Sequence, residues 1–331
     1  TPAAYLGSCR NRLPKDDDAV YERIFSVLNK YNIAYFFYIG GNDSMDTVLK
    51  LSHYADKKGY PIRIVGVPKT IDNDLAVTDH TPGYGSAAKF IATAVREVVC
   101  DATVYDVNST TIIEIMGRNA GWLTAAAALV RSEGQCAPHL IYLPEVAFDK
   151  ERFLEDMVRI NKVHKNVVVA VSEGIKDADG KYICDSGVKD AFGHSQLSGA
   201  ASELASLVRG RLGWKARSME LNLLQRCSAH MASKTDNCEA YNSAYAAVQA
   251  ALEGKTGCMM CFERKSNSPY EIEIKAADIK HIANAEKTVP VEWITPEGND
   301  VTAECTDYIR PLIQGEAPVR YKDGIPVYFE R

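Results

Sequence analysis

The chain has 331 residues, 46% of them apolar and 24% charged, with a net charge of −5. That length holds two domains of ordinary size, and the composition is globular rather than disordered. No apolar run approaches the roughly 18 residues of a membrane span and no basic block is present, so membrane and nucleic acid are set aside as partners.

No charged-then-apolar leader opens the chain, and its nine scattered cysteines read as reduced thiols; the expectation is a cytoplasmic protein. In chain order, Ile33–Ile39 reads as a buried strand, Ser44–Lys57 as a helix and Ile62–Val67 as the next strand. Ala87, Ile91, Ala94, Val95 and Val98 recur at helical spacing, which predicts a helix over Gly85–Cys100. Thr111–Met116 follows as a strand, Asn119–Arg131 as an alanine-rich helix, and His139–Leu143 as a strand. Phe153, Met157 and Ile160 mark one face of a helix, and Val167–Val171 is a wholly apolar strand of the buried parallel type. Ser198–Leu212 reads as a helix, Ala216–Leu224 as a strand, Asp236–Leu252 as a helix and Thr256–Phe262 as a strand. Such alternation implies βαβ units, a parallel sheet and two α/β domains.

Two features look like metal sites and are read otherwise. Cys258 and Cys261 lie in a strand, where side chains alternate, so their sulfurs point to opposite faces. Asp177-Ala-Asp-Gly180 lacks the later acidic ligands of a calcium loop and reads as a surface turn. The seven histidines are dispersed, none forms a helical ligand pair, and they read as surface or packing residues.

The loops carry the chemistry. Gly40-Gly41-Asn42-Asp43-Ser44 follows the first strand, and Lys69-Thr70-Ile71-Asp72-Asn73-Asp74 follows the second. In open α/β sheets ligands bind outside the carboxyl ends of strands. Gly40 and Gly41 let backbone N–H groups approach a phosphate, with a helix N-terminus behind them. Asp72 can accept a proton from an attacking hydroxyl, Lys69 can neutralise charge on a leaving phosphate, and a second carboxylate can hold magnesium. At this level Asp72 and Asp74 also fit a turn and N-cap before the helix near Gly85. Met116-Gly117-Arg118, Glu173, Arg217 and Arg226 are read at strand ends too, where guanidinium forks and a carboxylate suit a sugar phosphate.

These motifs, GGxxS, PxTIDND, MGR and a later QR, resemble the phosphofructokinase family along essentially the whole chain, from Tyr5-Leu-Gly-Ser-Cys-Arg10 to Asp307–Gly315. The resemblance implies two Rossmann-like three-layer domains with the active site in the cleft between them: residues 1–85 with 226–277 for the donor, and 86–225 with 278–331 for fructose 6-phosphate. It implies magnesium and a homo-oligomer, dimer or tetramer, whose subunits share sites. By the same resemblance Asp72 is the catalytic base and Arg10 reaches the transferring phosphoryl group. Thr70, Ile71, Asp72, Met116, Gly117, Arg118, Glu173 and Arg226 contact the sugar phosphate, and Arg217 serves a neighbouring subunit. Asn42 takes the place of an acidic metal ligand, with Asp74 as the second ligand. The family's opening strand and glycine-rich loop belong before Thr1, and Leu223 and Ser109 stand where ATP-using members carry a histidine and an arginine.

ATP-using members also carry glycine where this chain has Asp43 and Lys69. A carboxylate about 4 Å from the α-phosphate of ATP repels it by roughly 4 kcal/mol at an effective dielectric of about 20. Pyrophosphate has no α-phosphate, and the Asp43 and Lys69 pair is similar to that of pyrophosphate-dependent members. The expectation is pyrophosphate–fructose 6-phosphate phosphoryl transfer. An ATP-dependent phosphofructokinase and a non-catalytic regulatory subunit or fragment are the rivals, with a dinucleotide oxidoreductase ranked below them.

Overall fold

The structure, a computed structural model, describes residues 7, 12–15, 18–104, 106–131, 135–184, 197 and 199–328. The chain runs α1 (Asp18–Lys30), β1 (Tyr35–Gly40), α2 (Asn42–Lys58), β2 (Arg63–Pro68), α3 (Tyr84–Ala102), β3 (Ser109–Ile115), α4 (Trp122–Ala125) and β4 (Leu140–Tyr142). It continues with α5 (Lys150–Asn161), β5 (Asn166–Ser172), α6 (Ala200–Leu212), β6 (Lys215–Glu220), α7 (Leu224–Cys227) and α8 (Lys234–Leu252). The last elements are β7 (Cys258–Asn267), β8 (Tyr270–Asp278), α9 (Ala303–Ile309), β9 (Tyr321–Lys322) and β10 (Ile325–Pro326). No helix among the described residues is long and apolar enough to cross a membrane.

Two compact units result: Gly7–Tyr84 with Asp236–Lys287, and Gly85–Thr235 with Thr288–Arg331. The later borders fall at Thr235 and Lys287 rather than at 225 and 277. Ser233 accounts for the first difference: its N–H donates to Ser86 Oγ and its hydroxyl to Leu312 O, inside the unit of Gly85–Thr235. The second follows from Ile279, Ile282 and Ala283, which are buried in the core of the other unit.

The unit of Gly7–Tyr84 and Asp236–Lys287 is built on a sheet of order β1-β2-β7-β8. β1, β2 and β7 run parallel, and β8 returns antiparallel to β7 as a hairpin absent from the sequence-based reading. Alternation along the strands feeds two cores. Ile64, Met259 and Cys261 pack with Met45, Val48 and Leu51 of α2, while Val65, Val67, Cys258 and Met260 pack with Ala247, Ala250 and Ala251 of α8. The two cysteines therefore enter opposite cores, and fully burying each large apolar side chain contributes about 1.5–3 kcal/mol. α2 stops at Gly59, whose φ of +70° suits a residue without Cβ.

The other unit holds a sheet of order β4-β5-β3-β6, all parallel. β5 is buried along its whole length, so apolar residues are required on both of its faces. The expected helix over Asn119–Arg131 is α4 followed by a 3₁₀ stretch, Ala126–Val130. The expected strand Ala216–Leu224 stops at Glu220, because the chain turns at Asn222 (φ +42°) and enters α7. Asp177 and Gly180 close a tight turn, with the Gly180 N–H donating to Asp177 O at 3.0 Å.

Candidate active site

Parallel pairing of β1 and β2 brings their following loops side by side: Gly40 pairs with Pro68, and the Lys69 N–H donates to Gly40 O at 3.0 Å. Gly40 has no room for a side chain, since a Cβ there would lie 2.0 Å from Ser44 Oγ. Gly41 caps α2 with no side-chain cap, and its carbonyl accepts from the Ser44 and Met45 N–H groups at 3.0 Å. Helix geometry leaves the N–H groups of Asn42 and Asp43 without intrahelical acceptors, the usual starting point for holding a phosphate.

Asp43 is half-exposed and pairs with Arg12 at 3.3 Å. Nothing in the residues flanking Arg12 marks it out in the sequence. Lys69 is exposed. Arg10 lies outside the described residues. Asn42, expected as a metal ligand, has both polar atoms committed to backbone: Nδ2 donates to Ala285 O and Oδ1 accepts the Asn284 N–H, each at 2.8 Å.

The carboxylate loop is braced from within. The Thr70 N–H donates to Pro82 O, the Thr81 hydroxyl donates to Thr70 O, and the Asp72 N–H donates to Thr70 Oγ1 at 3.1 Å. The Thr70 hydroxyl in turn reaches Asp72 Oδ2 at 3.3 Å, and Ile71 packs beside Gly83. Asn73 forms the turn: it is fully buried, has φ +55°, and accepts the Thr81 N–H on Oδ1. α3 begins only at Tyr84, so neither Asp72 nor Asp74 is its N-cap. Beyond the turn, buried His80 lies between Asp79 and Glu239, 2.7 Å from each. Burial disfavours its charge, but the two carboxylates prevail and raise its pKa.

Among the carboxylates of this loop, Asp74 is the one pushed far above the ordinary carboxylate range. Its Oδ1 is buried with no hydrogen-bond partner. Burial, then the charge of Asp72, then that of Glu286, push its pKa up to about 7, against a weaker pull from Lys287. An orphaned carboxylate oxygen beside a second carboxylate suits a hard divalent cation with oxygen ligands. Lys287 is half-buried, and the loss of hydration holds its ammonium down to about 8 while it donates to the carbonyls of Thr78 and Asp79. An acid with a raised folded-state pKa binds its proton more tightly folded than unfolded. Its stabilising contribution is full below about pH 4 and is lost as pH rises through about 7. Without divalent metal, thermal melts should therefore show the wild-type protein losing more stability between pH 5 and 8 than Asp74→Asn does; parallel pH profiles would contradict this.

In the other unit, three loops meet at the carboxyl ends of β5, β3 and β6. Gly117 (φ +150°) and Gly174 allow backbone-on-backbone packing: a Cβ on Gly117 would lie 2.6 Å from Ala120 O, and one on Gly174 2.0 Å from Arg118 O. Ser172 donates its hydroxyl to Gly117 O, and the Gly117 N–H lies 3.5 Å from Glu173 Oε1. Arg118 Nε is buried with no hydrogen-bond partner, a donor left for an anion. Gln225, 3% exposed, accepts the Met116 N–H at 3.2 Å and donates to Asn222 O, so it ties the Met116–Arg118 loop to α7. Arg226 is exposed in α7. Gln225 is thus the structural member of the QR pair. Because the atom facing Gly174 is backbone, Gly174→Ala cannot be relieved by a rotamer change and should cost about 1–3 kcal/mol. Chemical denaturation would check it, and an unchanged midpoint would contradict it.

Arg217 is not brought to these loops. It pairs in register with Thr111, well before the end of β3, is half-exposed, and sits 3.6 Å from Asp101. Cys136, His139 and His164 also cluster, with ligand atoms within 4.8 Å of one another. Burial, then His164 and Arg131, push His139 down to about 4, so it is neutral. Its Nδ1 accepts the Val168 N–H at 3.0 Å, which places the ring proton on Nε2 and leaves neither nitrogen a lone pair for a metal.

The comparisons with known proteins point to one family. A family model described as "Phosphofructokinase" matches residues 1–251. A protein of Methylococcus capsulatus called pyrophosphate–fructose 6-phosphate 1-phosphotransferase is 44% identical over 99% of this chain and 79% of its own length. One of the same name from Xanthomonas campestris is 46% identical over 99% of this chain and 80% of its own. A crystal structure of pyrophosphate-dependent phosphofructokinase from Marinobacter aquaeolei superposes with a TM-score of 0.87 at 40% identity, covering 99% of this chain and 78% of that one. With its α/β units, its glycine loop and its braced carboxylate loop, the chain belongs to the phosphofructokinase family.

Proposed function

We propose that the chain catalyses reversible phosphoryl transfer from pyrophosphate to the 1-hydroxyl of fructose 6-phosphate, giving fructose 1,6-bisphosphate and phosphate, a cytoplasmic step of glycolysis. The observation that carries the choice of donor is the presence of Asp43 and Lys69, both exposed, on loops joined by the bond from Lys69 N–H to Gly40 O. Asp43 opposes the α-phosphate of a nucleotide, and Lys69 faces the phosphate that leaves.

In this reading Asp72 takes the proton of the attacking hydroxyl, oriented by its contacts with Thr70. The oxygen of fructose 6-phosphate bonds to phosphorus as the bridging P–O bond of pyrophosphate breaks. The leaving phosphate keeps that electron pair, stabilised by Lys69 and by the N–H groups at the start of α2. Arg118, with its orphaned Nε, holds the sugar phosphate together with Arg226, and Met116, Gly117 and Glu173 hold the sugar. Asp74 is the residue that fits magnesium, which when bound neutralises charge on the diphosphate oxygens. The unit with Gly7–Tyr84 is the donor unit and the other the sugar-phosphate unit. Arg217, set apart from its own chain's loops, is assigned to the site of a neighbouring copy in a homodimer or homotetramer.

Phosphorus NMR tests this reading. Fructose 6-phosphate, pyrophosphate and magnesium should yield a new phosphomonoester at C1 with equimolar phosphate. Persistence of the pyrophosphate signal, with turnover only after ATP is added, would overturn it.

A further inference from the structure

We propose that Asn284–Lys287 is a strap between the donor loop and the carboxylate loop, and that Asn42 is the positioning residue that fastens it. The proposal rests on reading those loops as a phosphoryl-transfer site. At one end, Asn42 makes a two-way bond with the strap, accepting the Asn284 N–H and donating to Ala285 O, each at 2.8 Å. Only an amide supplies both polarities from this side chain. An aspartate would set a second acceptor against Ala285 O and lose that bond.

Asn284 is shaped for the position. It sits at φ +62°, a conformation asparagine tolerates, and its Nδ2 donates to Asp46 Oδ1 one turn along α2 at 3.0 Å. Asp46 is fixed in turn by Lys50 at 2.6 Å. At the other end, the Lys287 N–H donates to Asp74 O at 2.8 Å, Glu286 bridges to Leu75, and the Lys287 ammonium donates to the carbonyls of Thr78 and Asp79. Four consecutive residues thus join the first residue of α2 to the backbone of Asp74. Leu75, beside the bridge, is fully buried, so this end rests on packed core. A shift of the donor loop cannot occur without drawing on the loop that holds Asp72 and Asp74.

Backbone amide exchange, Mn²⁺ affinity measured by electron paramagnetic resonance, and steady-state kinetics of Asn42→Asp decide the matter. The strap account expects the Asn284 and Lys287 amides to exchange at least about tenfold faster. It expects Mn²⁺ to bind no more tightly, and kcat to fall about 10- to 100-fold with KM for fructose 6-phosphate within about twofold. Unchanged exchange at Lys287, or tighter Mn²⁺ binding with kcat retained, overturns it and returns Asn42 to the metal. If Asn42→Asp does not fold, Asn42→Ala removes both bonds to the strap without adding a charge, and the same Lys287 amide then exchanges faster if the strap holds or unchanged if it does not. A wild-type protein inactive with pyrophosphate would sink the assigned reaction, while the exchange data would still judge the strap.

Discussion

Asp72→Asn should lower kcat about 1,000-fold while KM for fructose 6-phosphate stays within about twofold. General-base catalysis contributes about 10²- to 10⁴-fold, and the substitution removes the base while keeping its shape. The fold should survive, because the interactions that set the loop belong to neighbours: Asn73 with Thr81, Thr70 with Pro82 and Thr81, His80 with Asp79 and Glu239. The Thr70 hydroxyl can donate to an amide oxygen as it does to Asp72 Oδ2. Initial rates with pyrophosphate, beside a thermal melt, measure both halves. A loss of less than about tenfold in a folded variant would remove Asp72 from the proton transfer.

Replacing Asp43 and Lys69 together by glycine should invert donor preference, with kcat/KM for pyrophosphate falling about 100-fold or more and measurable turnover with ATP emerging. The structure refines the electrostatic argument. Asp43 is half-exposed and paired with Arg12 at 3.3 Å, so its repulsion of an α-phosphate is screened below the value for an isolated charge. Between the dielectric of water and that of a protein surface, two charges about 4 Å apart interact by about 1 to 4 kcal/mol, or roughly 5- to 1,000-fold. The single change Asp43→Gly therefore admits ATP only partway and also releases Arg12. Lys69→Gly accounts for most of the loss with pyrophosphate, because the leaving phosphate then lacks its ammonium. Substrate-saturation curves with each donor, for the two single variants and the double, separate these contributions. Donor ratios that match wild type in the double variant would dissociate both residues from donor choice.

The strands that carry the donor unit were legible because they are short apolar runs ended by glycine or proline, as in Tyr35–Gly40 and Arg63–Pro68. The loops stand out in the sequence by place, directly after two apolar runs, whereas their residue types, Gly40 with Gly41 and Asp72 with Asp74, also suit ordinary turns and caps. What escaped was set by contacts distant in sequence. Asn42 looks like a weak metal ligand until the chain returns at Asn284 and Ala285. Gln225 looks like a neighbour of Arg226 until the Met116 N–H is placed on it. Arg217 reads as a strand-end residue because it opens the run Ala216–Leu224, but that end is the amino end of β6, where Arg217 pairs with Thr111 rather than with the loops after the strands. One miss was avoidable: Glu271, Ile272, Glu273 and Ile274 alternate with period two, a strand signal, and they form β8 opposite β7.

The most direct measurement is the initial rate of fructose 1,6-bisphosphate formation with pyrophosphate and with ATP as sole phosphoryl donors, at equal concentration and saturating magnesium. The account predicts at least about a fivefold advantage for pyrophosphate, the lower end of the screened repulsion at Asp43. Equal rates, or an advantage for ATP, would contradict it.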